Sequence, residues 1–344
     1  MRVTACLLAA AILFVPIVLA QNAADTPDAP IAAAKAAAGG DFENLFNFQC
    51  YGPGPGGQRA VPGAPPRGGQ GGGAGQGTAR GGQGAGRGAG GRGAGTPDRS
   101  TWHLEPVKVF DNLYFFGQSE YAVWAITTSQ GIIVLDTIFD YSVEDEVVDG
   151  MKKMALDPAN IKYAVVSHAH PDHDGGARFL QEHYGTRVIM SPADWGVLDK
   201  RTNGTKPKRD IEATDGQKLT LGDTTITLYI TPGHTPGTIS TIFPVKDNGT
   251  THIAALWGGV GLNADREAVE QYIQSTQRFS NIVKQAGADI ILANHTDWDR
   301  SKINLPLLAK GPVRPNPYIV GNQKALNFLK VAEECAAARV IDAK

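Results

Sequence analysis

The most constraining stretch of this chain is His168-Ala169-His170-Pro171-Asp172-His173. It follows an apolar run, Tyr163-Ala164-Val165-Val166, that reads as a buried strand, and it leads into Gly175-Gly176. Imidazole and carboxylate at a strand end are the donors a borderline divalent metal selects, and four of them on one turn cannot all face one ion. The spacing therefore predicts two ions. Two more strand-like segments end in a histidine. Residues 225–230 run into Thr231-Pro232-Gly233-His234-Thr235-Pro236-Gly237, and residues 289–293 into Asn294-His295-Thr296-Asp297. Of the 8 histidines, only His103, His183 and His252 lie elsewhere. Five histidines with Asp172 supply three donors per ion and leave a position open for water. The chain must then fold so that three separate strand ends meet.

The surrounding pattern agrees with that demand. Residues 107–116 and 121–127 read as an antiparallel meander, and 131–136 as a buried strand. A helix at 143–154, a strand at 162–167, a helix after Gly175, a strand at 186–190 and a short helix from Pro192 follow. Residues 218–231 and 238–256 alternate as strands, with Asp247-Asn248-Gly249 as a hairpin turn. A helix at 264–285, a strand at 289–293 and an amphipathic helix at 323–340 complete the chain. Strands backed by helices in each half predict an α/β fold with two sheets face to face between outer helices.

The first hundred residues differ. Met1-Arg2, an apolar stretch and Val18-Leu19-Ala20 have the grammar of a signal peptide over 1–20, with an uncleaved anchor as the alternative. No other segment approaches a membrane span. Of 42 glycines, 21 fall between Tyr51 and Ser100. Residues 52–97 hold five arginines and no acid. Such a stretch has little apolar surface to offset chain entropy, so 21–100 reads as a disordered Ala/Gly/Arg/Pro-rich linker that could be deleted, ahead of one domain over 101–344. A formal net charge of -2, and no aromatics among those arginines, argue against nucleic acid as a partner. Cys6 would leave with the signal. Cys50 beside the Gly-rich run and Cys335 in the last helix are read as forming no essential disulfide, though export would permit pairing. Two mature cysteines are too few for a thiolate zinc site.

Through His-Ala-His-Pro-Asp-His at 168–173 and Pro-Gly-His-Thr-Pro-Gly at 232–237, residues 104–340 resemble the metallo-β-lactamase superfamily. The resemblance implies an αββα sandwich with a binuclear zinc site, His168, His170 and His234 on one zinc and Asp172, His173 and His295 on the other. It also makes Asp136 a buried acid that fixes neighbouring ligands. Many superfamily hydrolases carry a bridging Asp after the third histidine, but here that strand reads Ile253-Ala254-Ala255-Leu256-Trp257-Gly258-Gly259. An Asp-His-His second site resembles the third subclass of true metallo-β-lactamases, many members of which have serine near Gly258 and Gly259.

That resemblance implies a periplasmic or secreted enzyme acting on a small molecule, most simply a β-lactam amide, through a metal-bound hydroxide, with Asp172 both ligating and orienting. The alternative is a lactone, ester or phosphodiester as substrate. Trp257, Trp298 and Tyr318 are the aromatic candidates for the cleft, with core packing as the competing reading. The oligomeric state has no sequence signal.

Overall fold

A computed structural model describes residues 26–52 and 96–342. Strands β1 (Val107–Phe110), β2 (Leu113–Gly117), β3 (Ala122–Thr128), β4 (Gly131–Leu135), β5 (Ile161–Val165), β6 (Arg187–Met190) and β7 (Ile211–Glu212) form one sheet in sequential order. Pairing is antiparallel up to β4 and parallel from β4 to β7. The second sheet has the order β12-β11-β10-β9-β8, built from β8 (Gln217–Leu221), β9 (Thr224–Ile230), β10 (Ile239–Asp247), β11 (Thr250–Trp257) and β12 (Ile290–Ala293). The β10–β11 hairpin closes where expected, with Asn248 at φ 50° and Gly249 at φ 76° supplying the two positive φ angles that a tight hairpin turn demands.

Alternation along β3 explains the layering. Trp124 and Ile126 point into a core shared with Leu228, Phe243, Leu256 and Leu292 of the other sheet. Val123 and Ala125 point outward, into a cluster with Val147, Met151 and Leu180. Helices α3 (Asp149–Lys153) and α5 (Ala177–Tyr184) lie on that outer side, and α6 (Pro192–Lys200) buries Trp195 and Leu198 against β6. Over the second sheet lie α7 (Arg266–Ala286) and α9 (Asn322–Asp342), whose Tyr272, Phe279, Phe328 and Leu329 pack on Trp257 and Ile291. The result is the predicted αββα sandwich. The short α4 (Pro171–Asp174) and α8 (Ser301–Leu308) belong to the loops at one end.

Two expectations fail. Within the 21–100 linker, residues 26–52 are not disordered: α1 (Asp28–Ala38) and α2 (Glu43–Tyr51) fold against α9. Ala34, Ala38, Phe42, Leu45 and Phe46 are buried in the same core as Phe328 and Trp257. The physical reason is an apolar stripe at 42, 45, 46 and 50, too short to hold a helix in isolation and stabilised only by the surface it covers. Cys50, at the end of α2, is disulfide-bonded to Cys335 in α9. The neighbouring glycines at 52–57 concealed a helix that ends just before them. The proposed signal peptide and residues 53–95 lie outside the described residues. Among those described, no helix is long and apolar enough to cross a membrane.

Candidate metal centre

The loops that leave β5, β9 and β12 gather at one end of the sandwich. Their donors fall into two triads, His168–His170–His234 and Asp172–His173–His295. Within the first, His234 Nε2 lies 3.1 Å from His168 Nε2 and 3.2 Å from His170 Nδ1. The outward nitrogens decide what faces inward. His168 Nδ1 lies 2.9 Å from the Gly258 carbonyl and His234 Nδ1 2.6 Å from that of Gly261. A carbonyl only accepts, so both Nδ1 atoms carry the proton and both Nε2 atoms turn lone pairs inward. Burial, reinforced by the neighbouring imidazoles, pushes the pKa of His168 well down and that of His234 to about 3, so the rings are neutral. Lone pairs converging at such distances repel unless a cation sits among them.

In the second triad Asp172 Oδ2 lies 3.1 Å from His173 Nε2 and 3.6 Å from His295 Nε2. His173 Nε2 is fully buried and satisfies no hydrogen bond, the short carboxylate distance notwithstanding. Its other nitrogen, Nδ1, donates to Asp136 Oδ2 at 2.9 Å. Burial opposes charge on His173, but the carboxylates of Asp172 and Asp136 outweigh it and raise its pKa to about 10. Burial likewise resists ionisation of Asp172, yet His173, His295 and His170 hold its carboxyl well below the usual range. The rings of His168 and His173 are 4.1 Å apart, so the triads adjoin. An orphaned buried imidazole nitrogen and a donor set of five imidazoles and one carboxylate fit a pair of zinc-type ions.

Several residues that the sequence did not mark hold this arrangement. Asp136, which it did, accepts from the Ser167 amide at 2.6 Å and the Ser167 hydroxyl at 3.0 Å as well as from His173. Its φ is 64°, and Ile138, two residues on, has φ 50°, a conformation a β-branched residue rarely adopts. Asp194 ties two loops together: its carboxylate accepts from the amides of Ala169 and Gly237 and from the Thr235 hydroxyl, all within 2.9 Å. In sequence Ser191 and Asp194 look like a helix cap. Ser191 does cap α6, but the Asp194 carboxylate turns away from it toward both ligand loops. Arg201 forks onto Asp174 at 2.7 Å and donates to the Ala169 carbonyl. Asn294 donates to Gly258 O and Ser167 Oγ.

The aromatic candidates divide. Trp257 and Tyr318 are core residues, the first donating to the Tyr272 hydroxyl and the second sharing a hydrogen bond with Ser301. Trp298 does reach the site, its ring centroid 4.2 Å from that of His295. Tyr121, which sequence reasoning missed, has its ring centroid 5.0 Å from that of His295 and leads to Phe139 and Tyr141. Burial, with Asp172 nearby, pushes its phenol up to about 12.

Gly258 and Gly259 are glycines by necessity. A Cβ on Gly258 would lie 1.8 Å from the Ile239 carbonyl oxygen, and one on Gly259 2.6 Å from His234 Cβ. Serine fits at neither without displacing the ligand loop, so the glycines reflect close approach rather than a retuned substrate contact.

Comparisons with known proteins bear on the family and the fold. Residues 117–247 match the family model of the metallo-beta-lactamase superfamily. Hydroxyacylglutathione hydrolase of Neisseria meningitidis serogroup B is 27% identical over 181 residues, 48% of this chain and 66% of that protein, just short of two thirds of its length. An N-acyl homoserine lactonase of Azorhizobium caulinodans is 25% identical over 190 residues, 49% of this chain and 72% of that protein. Among solved structures, the subclass B3 metallo-beta-lactamase BJP-1 of Bradyrhizobium japonicum superposes with a TM-score of 0.58 at 27% identity, covering 68% of this chain and 92% of that one. The FEZ-1 metallo-beta-lactamase of Legionella gormanii gives 0.60 at 24% identity, over 67% and 94% of the two chains, a likeness of fold.

Proposed function

Because the chain belongs to the metallo-β-lactamase superfamily and is a hydrolase of that fold, we propose that it is an exported binuclear zinc enzyme that opens the β-lactam amide bond. The observation that carries this reading is the composition of the second triad. It is Asp-His-His, and the strand that would bring a bridging acid ends instead in Trp257-Gly258-Gly259, packed too closely for any side chain. Export is supported by the N-terminal sequence and by the Cys50–Cys335 bond, which persists in oxidising compartments.

His168, His170 and His234 would hold one zinc, and Asp172, His173 and His295 the other. When bound, zinc acidifies water toward neutrality and polarises a carbonyl oxygen. The chain's own groups do the rest. Asp172, ionised at any physiological pH, accepts a hydrogen bond from the attacking water and so orients it. Asp136 keeps the His173 ring turned so that Nε2 faces the centre. The Gly258 and Gly261 carbonyls do the same for His168 and His234. Tyr121, Phe139 and Tyr141 form an apolar wall beside His295 against which a substrate ring can lie. The Tyr121 phenol stays protonated at neutral pH and so has a proton to donate to an approaching substrate anion.

A second reading, a lactone or thioester as substrate, is favoured by the curated relatives. The purified protein should be assayed on a penicillin, a cephalosporin and a carbapenem beside an acyl-homoserine lactone, a glutathione thioester and a phosphodiester. Chelator should abolish turnover and zinc restore it. Turnover of lactone, thioester or phosphodiester alone would replace the lactamase reading with the second one.

A further inference from the structure

The two loops that steady the donors share a back wall, and that wall is the N-terminal helix pair. The first loop, residues 258–261, presents the carbonyls that orient His168 and His234. Between them sits Val260, whose carbonyl accepts from Gln49 Nε2 at 2.5 Å and from the Tyr272 hydroxyl at 3.0 Å. Gln49 Nε2 also donates to that hydroxyl at 2.8 Å, so α2 fastens the middle of the loop from behind. The loop has no side-chain anchors of its own at Gly258, Gly259 and Gly261, and a glycine-rich segment left alone gains conformational freedom.

The second loop, residues 294–300, carries His295. Phe48 lies against Trp298 with ring centroids 4.7 Å apart, and Trp298 in turn lies against His295. Asp41, in the turn between α1 and α2, pairs with Arg300 of this loop and with Lys324 of α9. One residue beyond Gln49, the Cys50–Cys335 bond pins the end of α2 to α9.

We propose that Gln49 and Phe48 are positioning residues for the two metal triads. Gln49 sets the carbonyls behind the His168–His170–His234 triad, and Phe48 sets the His295 ring through Trp298. The helix pair is thus a part of the metal centre supplied from 200 residues away in sequence, and not a leader to the domain. This rests on the zinc reading above. Loss of a partner that orients a metal-ligating histidine costs about 10–100-fold in affinity.

The test is a zinc titration of the metal-free full chain against a chromophoric chelator, which yields two dissociation constants. His234→Ala and His295→Ala assign each constant to its triad. Gln49→Met keeps volume and removes the donor; it should weaken the His234 triad about tenfold and leave the other within twofold. Phe48→Leu should weaken the His295 triad by a similar factor, and Phe48→Tyr should restore it. Leu45→Ala, a core truncation in the same helix, should lower the melting temperature more than either while leaving both constants within twofold. The proposal is overturned if Gln49→Met and Phe48→Leu leave both constants within twofold of the unsubstituted protein. It is equally overturned if Leu45→Ala shifts them as much, which would make the effect one of general stability. A parent protein that binds no zinc fails the metal reading itself, and the two failures are told apart by that first titration.

Discussion

The two halves of the sandwich furnish the centre in different ways. The half built on β1–β7 supplies His168, His170, Asp172 and His173 from one turn and braces them with its own carboxylates, Asp136 and Asp194, and the buried Asp174–Arg201 pair. The half built on β8–β12 supplies one histidine from each of two loops. It steadies His234 with the Gly261 carbonyl and His295 with aromatic contacts, lends the Gly258 carbonyl to His168 of the first half, and is held in turn by the helix pair at 26–52. Four donors on one turn can share charged partners, because a single local conformation aims them all. Isolated histidines on separate loops depend on whatever packs behind each loop.

The largest effect should come from removing that backing altogether. Deletion of residues 26–95 takes Phe42, Leu45 and Phe46 out of the core. At about 1.5–3 kcal/mol per large apolar side chain this amounts to roughly 5–9 kcal/mol, comparable to the whole stability of a typical domain. Thermal denaturation should show the truncated chain largely unfolded or melting far below the full one. A truncated chain that melts with the parent would mean the second half is self-supporting after all.

Next come the donors and braces of the first half. Asp172→Ala should lower kcat/KM by more than the ~100-fold upper figure for an orienting partner, because one residue both ligates and orients; steady-state kinetics with zinc in excess checks this. Asp136→Asn should cost about 10–100-fold in zinc affinity at the Asp172–His173–His295 triad and leave the other triad nearly unchanged. An equal loss at both triads would show that Asp136 braces the whole 167–173 turn rather than His173 alone.

Asp194→Asn probes a buried carboxylate that spans the halves. It leaves a buried amide donor without an acceptor, worth about 1–3 kcal/mol, and chemical denaturation should register a loss of that size. The last effect is one of pH dependence and concerns Asp299, which accepts from the amides of Ala293 and Ser301 behind His295. Burial raises its pKa from 3.8 to about 7. Below pH 4 both folded and unfolded states hold the proton and the group is neutral to stability. Between about pH 4 and 7 the unfolded state releases a proton that the folded state keeps, so stability falls as pH rises, and above 7 the penalty is constant. The melting temperature of Asp299→Asn relative to the parent should therefore climb from pH 4 to 7 and then level off. A flat difference across that range would remove the buried carboxyl from the pH response.

The donor set was legible in the sequence because its signals are local. Histidine after a buried strand, a carboxylate two residues from an imidazole, and the alternation of β9 need only a few neighbouring residues to be read, and the layered architecture followed from the order of strands and helices. Asp194 was not legible: its Ser-Pro-Ala-Asp context is that of a helix cap, and only the arrival of the 232–237 loop gives its carboxylate other donors. The glycines at 258 and 259 carry no local signal of why they are glycine: the Ile239 carbonyl and the His234 ring lie against them only in the fold. The helix pair was hidden by the same cause. Nine residues of α2 carry too little helical preference to stand alone, so their structure depends on Phe328, Tyr272 and Cys335, more than 200 positions away. The sequence by itself determined which atoms can bind metal and at which strand ends they stand. Only the tertiary structure decided what holds those atoms still, since contacts between distant segments leave no periodicity in either one.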